Sequence, residues 1–196
     1  MAIRGVIFDL DGTLIDSGLD FEQMRREMEF APGQWILETI ALLEEGPRKE
    51  RCRQVLREHE HRGALSASLM PGAKELLAEL SRRGLAVGIL TRNSREMTDL
   101  ALSRLGLVVP HVIAREDAPP KPDPTGLLMI CGRWQMEASE VIFIGDFRFD
   151  LVAGRRAGIT TVLYAPNGPP DYADEADFVI SHLSETCEIM ARFARG

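Results

Sequence analysis

The sequence is short of cysteine, of positive charge and of long apolar runs, and each shortage removes a class of protein. Its three cysteines, Cys52, Cys131 and Cys187, are odd in number and scattered, with no pair at metal-ligand spacing. This excludes a disulfide scaffold and a cysteine-ligated zinc site, and leaves reduced, partly buried thiols. Lys and Arg total 23 against 30 Asp and Glu, for a formal net charge of −7. A surface of that sign does not suit nucleic acid or an acidic membrane, so neither is expected as a partner. A small phosphate remains open, because it needs positive charge only locally. No apolar run is long enough to span a bilayer, and Met1-Ala2-Ile3-Arg4-Gly5 lacks the apolar core of a signal peptide. The expected location is the cytoplasm. Repeats and low-complexity segments are missing as well.

What is present is ordinary globular material. The 196 residues, 45% hydrophobic and 27% charged, suit one domain with room for a small inserted module. Residues 3–8 are rich in β-branched and aromatic side chains and read as a buried strand. From 17 to 69 the character changes. Segments 21–30, 34–45 and 48–62 are charged, with apolar residues at helical spacing, and Pro32-Gly33 and Gly46-Pro47 punctuate them. A helical insertion is expected there.

After Met70-Pro71-Gly72 the pattern alternates. A helix over 73–83 is stopped by Gly84, and a strand over 85–90 leads into Thr91-Arg92-Asn93-Ser94. Ser94 is a good N-cap for a helix to 105, ended by Gly106. A strand is expected over 108–114, and Pro119-Pro120-Lys121-Pro122-Asp123-Pro124 must be irregular. A helix over 125–134, a strand over 141–144, a helix to 157 and a strand over 158–164 follow. A short strand over 178–180 and a helix over 184–195 complete the chain. Apolar strands alternating with amphipathic helices predict a parallel sheet covered on both faces, with ligands beyond the carboxyl ends of its strands.

The first strand ends in Asp9-Leu10-Asp11-Gly12-Thr13. Two carboxylates close together resist joint ionisation, so a cation or proton is needed beside them. The functional reading is a divalent-metal site in which one carboxylate is also a nucleophile. Thr91 and Asp146 fall at the ends of two further strands, so all four polar groups are predicted at one sheet edge.

Asp9-Leu10-Asp11-Gly12-Thr13-Leu14, Thr91, Lys121-Pro122 and Gly145-Asp146 with Asp150 match, in order, the four motifs of the haloacid dehalogenase superfamily of phosphohydrolases. The helical insertion and Pro71-Gly72 resemble the helical-cap branch that includes phosphoglycolate phosphatases. The resemblance covers nearly the whole chain. It implies a Rossmann-like α/β core over 1–16 and 70–196, with an α-helical cap over 17–69. It further implies a Mg²⁺-dependent phosphatase acting on a small phosphorylated metabolite.

Residue by residue, the resemblance makes Asp9 the nucleophile and Asp11 the general acid and base. Mg²⁺ would be held by the Asp9 and Asp146 carboxylates and the Asp11 carbonyl, with Asp150 on a metal-bound water or orienting a ligand. For Asp150 the alternative is a charge favoured at a helix N-terminus. Thr91, Lys121 and the amides of Leu10, Asp11 and Arg92 would bind the phosphate.

Two departures from the pattern stand out. Phe147 occupies a position where relatives carry a small or hydroxylated residue, and Arg92 one where smaller residues are common. Arg92 is expected in a surface salt bridge, with substrate contact as the alternative. The basic residues of 48–62 are read as a solvated face, His59 and His61 as surface groups, and Trp35 and Trp134 as packing groups. Competing functions on the same fold are a phosphomutase, a dehalogenase and a non-catalytic phosphate-binding protein.

Overall fold

The computed structural model of the chain describes residues 2–193. In chain order it forms β1 (Gly5–Phe8), β2 (Ile15–Asp16), α1 (Phe21–Glu27), α2 (Ile36–Leu42), α3 (Pro47–Ser66) and β3 (Ser68–Leu69). There follow α4 (Ala73–Arg82), β4 (Ala86–Leu90), α5 (Arg95–Arg104), β5 (His111–Ile113) and α6 (Thr125–Trp134). The last elements are β6 (Val141–Gly145), α7 (Arg148–Ala157), β7 (Thr160–Tyr164), β8 (Phe178–Ile180) and α8 (Thr186–Phe193).

Six strands make one parallel sheet in the order β5-β4-β1-β6-β7-β8. The central strand β1 is buried along its whole length, as a strand covered on both faces must be. Register fixes where its chemistry emerges. Phe8 lies level with Ile89 of β4 and Ile144 of β6. The residue after Phe8 therefore leaves the sheet beside the ends of both neighbours.

One face of the sheet packs Ile7, Leu90, Ile113 and Phe143 against Leu127 and Ile130 of α6 and Ala153 of α7. Trp134 packs against this cluster and meets His111 edge-on at 5.8 Å. Leu76 and Leu80 of α4 are buried as well. Leu80→Ala is expected to cost about 2–5 kcal/mol of unfolding free energy through lost burial and the cavity left behind. Urea denaturation checks it, and a loss under about 1 kcal/mol would show that the site collapses freely.

Residues 17–67 form a compact unit of their own. Its core gathers Met24, Met28, Phe30, Ile36, Ile40 and Cys52 from three helices and the turn that follows the first. Three sequence expectations fail here. His59 is buried, with Nε2 3.0 Å from Glu27 Oε2, so it ties α3 to α1 instead of facing solvent. Trp35 is 45% exposed at the N-cap of α2 and is not a core group. The solvated-face reading of α3 also misses Lys49, which is buried. Its ammonium donates to the carbonyls of Ala41 (3.2 Å) and Leu43 (2.8 Å), the end of α2 where a cation is favoured.

Elsewhere the expected elements recur with shifted ends. β2 and β3 form an antiparallel pair too short to leave a periodic signal, and they place 68–69 beside 15–16. The strand expected over 108–114 shrinks to β5 because Pro110 has no N–H to give, and Val108 is 92% exposed. Gly158 adopts φ +72° to close α7, which delays β7 to Thr160. Of the helix expected over 184–195, α8 covers Thr186–Phe193, and 194–195 lie outside the described residues. No helix among the described residues is long and apolar enough to cross a membrane.

Candidate active site

The site is assembled from four strand-end or loop segments. After Phe8, the Asp9 amide donates to the Ile144 carbonyl at 2.8 Å, a last ladder bond that fixes the start of the loop. The loop then turns on itself. The amides of Thr13, Leu14 and Ile15 all reach the Leu10 carbonyl, at 3.3, 3.0 and 3.0 Å. Gly12 sits at φ +86°, and a Cβ there would lie 2.4 Å from Asp146 Oδ2. Only glycine satisfies both the turn and this close approach. The Thr13 hydroxyl donates to Asp146 Oδ1 at 3.1 Å and links the two segments.

Asp146 follows β6, and Asp150 stands in the first turn of α7. Asp150 Oδ2 accepts from the Phe147 amide at 2.9 Å, capping the helix, while Oδ1 lies 2.6 Å from Lys121 Nζ. Asp150 is thus a helix N-terminal charge whose second oxygen meets the Lys121 ammonium. A Cβ on Gly145 would meet Asp150 at 2.3 Å, so the strand end must be bare for the carboxylate to fold back. From the proline-rich loop, Lys121 places Nζ 2.6 Å from Asp9 Oδ1 as well. The same Nζ lies over the Phe143 ring, 5.6 Å from its centre.

Carboxylate oxygens of Asp9, Asp146 and Asp150 lie within 4.8 Å of one another. Burial raises the proton affinity of Asp9, Asp11 adds to this, and Lys121 opposes it. Asp146 is pushed up to about 8 by burial and by repulsion from Asp9 and Asp150. Asp150 is pushed up to about 6 by burial, against the pull of Lys121. Burial disfavours the Lys121 charge, yet Asp150 and Asp9 overcome this and hold the ammonium at about 12. Even with Lys121 in place, then, the trio favours added positive charge. An all-oxygen donor set of this kind suits a hard divalent cation such as Mg²⁺.

The remaining predicted residues take different positions. Asp11 Oδ2 accepts from Asn93 Nδ2 at 3.1 Å. Thr91 is buried at the end of β4, and its Oγ1 accepts from the Asn93 amide at 3.0 Å. The Leu10 side chain is in the core. The Arg92 guanidinium donates to the Lys121 carbonyl at 3.0 Å and covers the Phe149 ring at 4.7 Å. Arg148 pairs with Glu175 at 2.7 Å. Phe147 meets Phe149 and Tyr172 edge-on, at 5.4 and 6.0 Å, and the Tyr172 hydroxyl donates to the Asp146 carbonyl at 3.3 Å. Phe147, the departure noted in the sequence, is thus part of an aromatic wall beside Asp146.

Sequence reasoning did not single out Asn93, Thr13 or Tyr172. Thr13 stands inside a recognised motif. Asn93 is two residues past Thr91, and its only sequence signal is that proximity. Tyr172 has none, because a long loop brings it in.

The chain was compared with known proteins. The model of the family described as haloacid dehalogenase-like hydrolase matches residues 6–164. A haloacid dehalogenase-like hydrolase domain-containing protein of Arabidopsis thaliana is 30% identical over 201 residues, covering 93% of this chain and 82% of the relative. An N-acetylmuramic acid 6-phosphate phosphatase of Pseudomonas aeruginosa is also 30% identical, over 98% of this chain and 96% of the relative. A phosphoglycolate phosphatase of Yersinia pseudotuberculosis is 29% identical, over 94% and 91%. The crystal structure of a hydrolase from Pseudomonas syringae superposes with a TM-score of 0.77 at 22% identity, over 96% of this chain and 98% of that one, a likeness of fold. With a family match running from the first strand through β7, the chain belongs to the haloacid dehalogenase-like hydrolases.

Proposed function

We propose that this protein is a Mg²⁺-dependent phosphatase that hydrolyses a small phosphorylated metabolite through an aspartyl-phosphate on Asp9. The observation that carries this reading is the trio of buried Asp9 and Asp150 with half-buried Asp146, Lys121 2.6 Å from the first two, and Asp11 two residues beyond Asp9. The names of the relatives support the substrate class: they include an N-acetylmuramic acid 6-phosphate phosphatase, a phosphoglycolate phosphatase and a pyrophosphatase.

Asp9 acts as nucleophile. Its carboxylate oxygen forms a bond to phosphorus as the bond to the leaving oxygen breaks, and Asp11 gives its proton to that oxygen. In the second half, Asp11 takes a proton from water as the water oxygen bonds to phosphorus. The acyl-phosphate bond then breaks and Asp9 is regenerated. Lys121, Thr91 and the amides of Leu10, Asp11 and Arg92 surround the phosphoryl oxygens with donors, worth most where water is excluded. The Asp9 and Asp146 carboxylates and the Asp11 carbonyl, with Asp150 in support, would hold Mg²⁺, which would supply further positive charge for the phosphoryl oxygens. The helical unit 17–67 is assigned the role of a cap that carries substrate selectivity.

A dehalogenase would use Asp9 but would need neither Asp11 nor Asp146. A phosphomutase would share every residue named and differ in shielding the intermediate from water. Phosphate release from a panel of phosphoglycolate, sugar phosphates, nucleotides and pyrophosphate, assayed with Mg²⁺, tests the reading. Release from none of them supports a binding protein instead. EDTA is expected to stop turnover and Mg²⁺ to restore it; turnover unchanged in chelator removes the metal from the mechanism.

Mg²⁺ at about 100 times its Kd should also stabilise the fold by about 2.7 kcal/mol, because it binds only the assembled trio. In Asp146→Asn this rise in Tm should vanish, while the metal-free variant melts above the metal-free parent at pH 8. Persistence of the Mg²⁺-dependent rise in Asp146→Asn would place the cation elsewhere.

A further inference from the structure

The turn after β4 carries a side chain that the proposed chemistry has not used. Asn93 is 8% exposed, and both ends of its amide are committed. Its Oδ1 accepts from the Ser94 amide at 2.8 Å, and its Nδ2 donates to Asp11 Oδ2 at 3.1 Å. The first bond dictates the second. Flipping the amide would set an NH₂ against the Ser94 N–H, two donors facing each other, so Nδ2 is forced to point at Asp11.

The backbone of Asn93 is fixed just as firmly. Its N–H donates to Thr91 Oγ1 at 3.0 Å, and its carbonyl accepts from the Arg115 amide at 3.0 Å. Ser94 in turn caps α5 by accepting from the Met97 amide at 3.3 Å. The donor that meets Asp11 is thus braced by a strand end, a helix cap and a neighbouring loop. The bond to Thr91 has its own consequence. A hydroxyl has one proton to give. By accepting from Asn93, Thr91 Oγ1 keeps that proton for a phosphoryl oxygen.

We propose that Asn93 is a positioning residue that holds the Asp11 carboxyl, through one oxygen, so that its other oxygen exchanges the proton with the leaving group and then with water. The inference rests on the phosphatase reading above. In the step concerned, the Asp9–phosphorus bond forms and the phosphorus–oxygen bond to the leaving group breaks. The proton on Asp11 moves to that leaving oxygen. An alkoxide cannot leave without the proton, whereas a nitrophenolate can. A residue that serves this transfer must therefore matter for one leaving group and not for the other.

The test compares kcat/KM for 4-nitrophenyl phosphate and for an alkyl phosphate in Asn93→Asp and Asn93→Ala. Asn93→Asp keeps the acceptor for Ser94 and the side-chain volume but removes the donor to Asp11. Displaced proton transfer should cost about 30-fold or more on the alkyl phosphate and less than about 3-fold on the nitrophenyl ester. The ratio of the two substrates is read within one preparation, so partial unfolding, which lowers both alike, does not imitate the effect. In an Asp11→Asn background the same substitutions should leave the ratio unchanged.

Equal losses on both substrates, or no loss on either, overturn the proposal and leave the phosphatase reading standing. So would a ratio that still shifts in the Asp11→Asn background. Failure of the unmodified protein to release phosphate from either ester overturns both.

Discussion

Asp9→Asn is expected to lower Mg²⁺-dependent phosphate release by about 10⁴-fold or more, the scale seen when a covalent nucleophile is removed. The amide has the shape of the carboxylate but no anionic oxygen to attack phosphorus, and an acyl-phosphate cannot form on it. The fold should survive. Asp9 lies in a trio whose members repel one another, so removing one charge relieves burial and repulsion while Lys121 keeps Asp150 at 2.6 Å. The matched measurements are phosphate release at saturating substrate and thermal melting of the same preparation. Inactivity with an intact melt fits a nucleophile. Substantial Mg²⁺-dependent turnover would remove Asp9 from that role, and inactivity with a collapsed melt would make it a structural residue instead. Mass spectrometry of the unmodified protein mixed rapidly with substrate gives an independent view, since the phosphoryl adduct should map to the peptide containing Asp9.

The sheet edge was legible because its signals are local. A buried parallel strand writes itself as a continuous apolar run, and Asp9, Thr91 and Asp146 each follow one directly. The Gly12 turn and the Ser94 cap are short-range as well, fixed by a positive φ and by one side-chain bond. What escaped depends on contacts distant in sequence. His59 looks like any polar residue on a charged helix until α1 brings Glu27 to it, 32 positions away. Asn93 meets Asp11 across 82 positions, and Tyr172 reaches Asp146 across 26. The same holds for Lys49, whose burial is set by the carbonyls of a neighbouring helix end and not by its own helix face. Periodicity reports which face of an element is apolar. It says nothing about which buried polar group will find a partner.

Lys121→Met should be the most destabilising single change at the site, by about 3–5 kcal/mol near pH 8 without metal, because it strips the partner from buried carboxylates. Met is unbranched and of similar length to the Lys stem, so what changes is the charge, together with its place 5.6 Å over the Phe143 ring. The pH dependence separates this from a packing defect. The folded-state pKa values of Asp146, about 8, and Asp150, about 6, lie above the ordinary 3.8. A carboxyl raised in the fold binds its proton more tightly there than in the unfolded chain. Its contribution is therefore fully present below pH 3.8 and is lost as pH rises through the folded value. Without Lys121 those values rise further, so the deficit of the variant should be small near pH 5 and widen towards pH 8. Lys121 itself is raised to about 12, so its contribution to the parent persists across that whole range and fails only in strong alkali. Mg²⁺ should restore part of the lost stability, since a cation among the same oxygens replaces the missing charge. Activity should not return with it, because the phosphoryl oxygens still lack the ammonium. A deficit equal at pH 5 and pH 8 would show that Lys121 acts through packing, and full recovery of turnover in Mg²⁺ would remove it from the phosphate site.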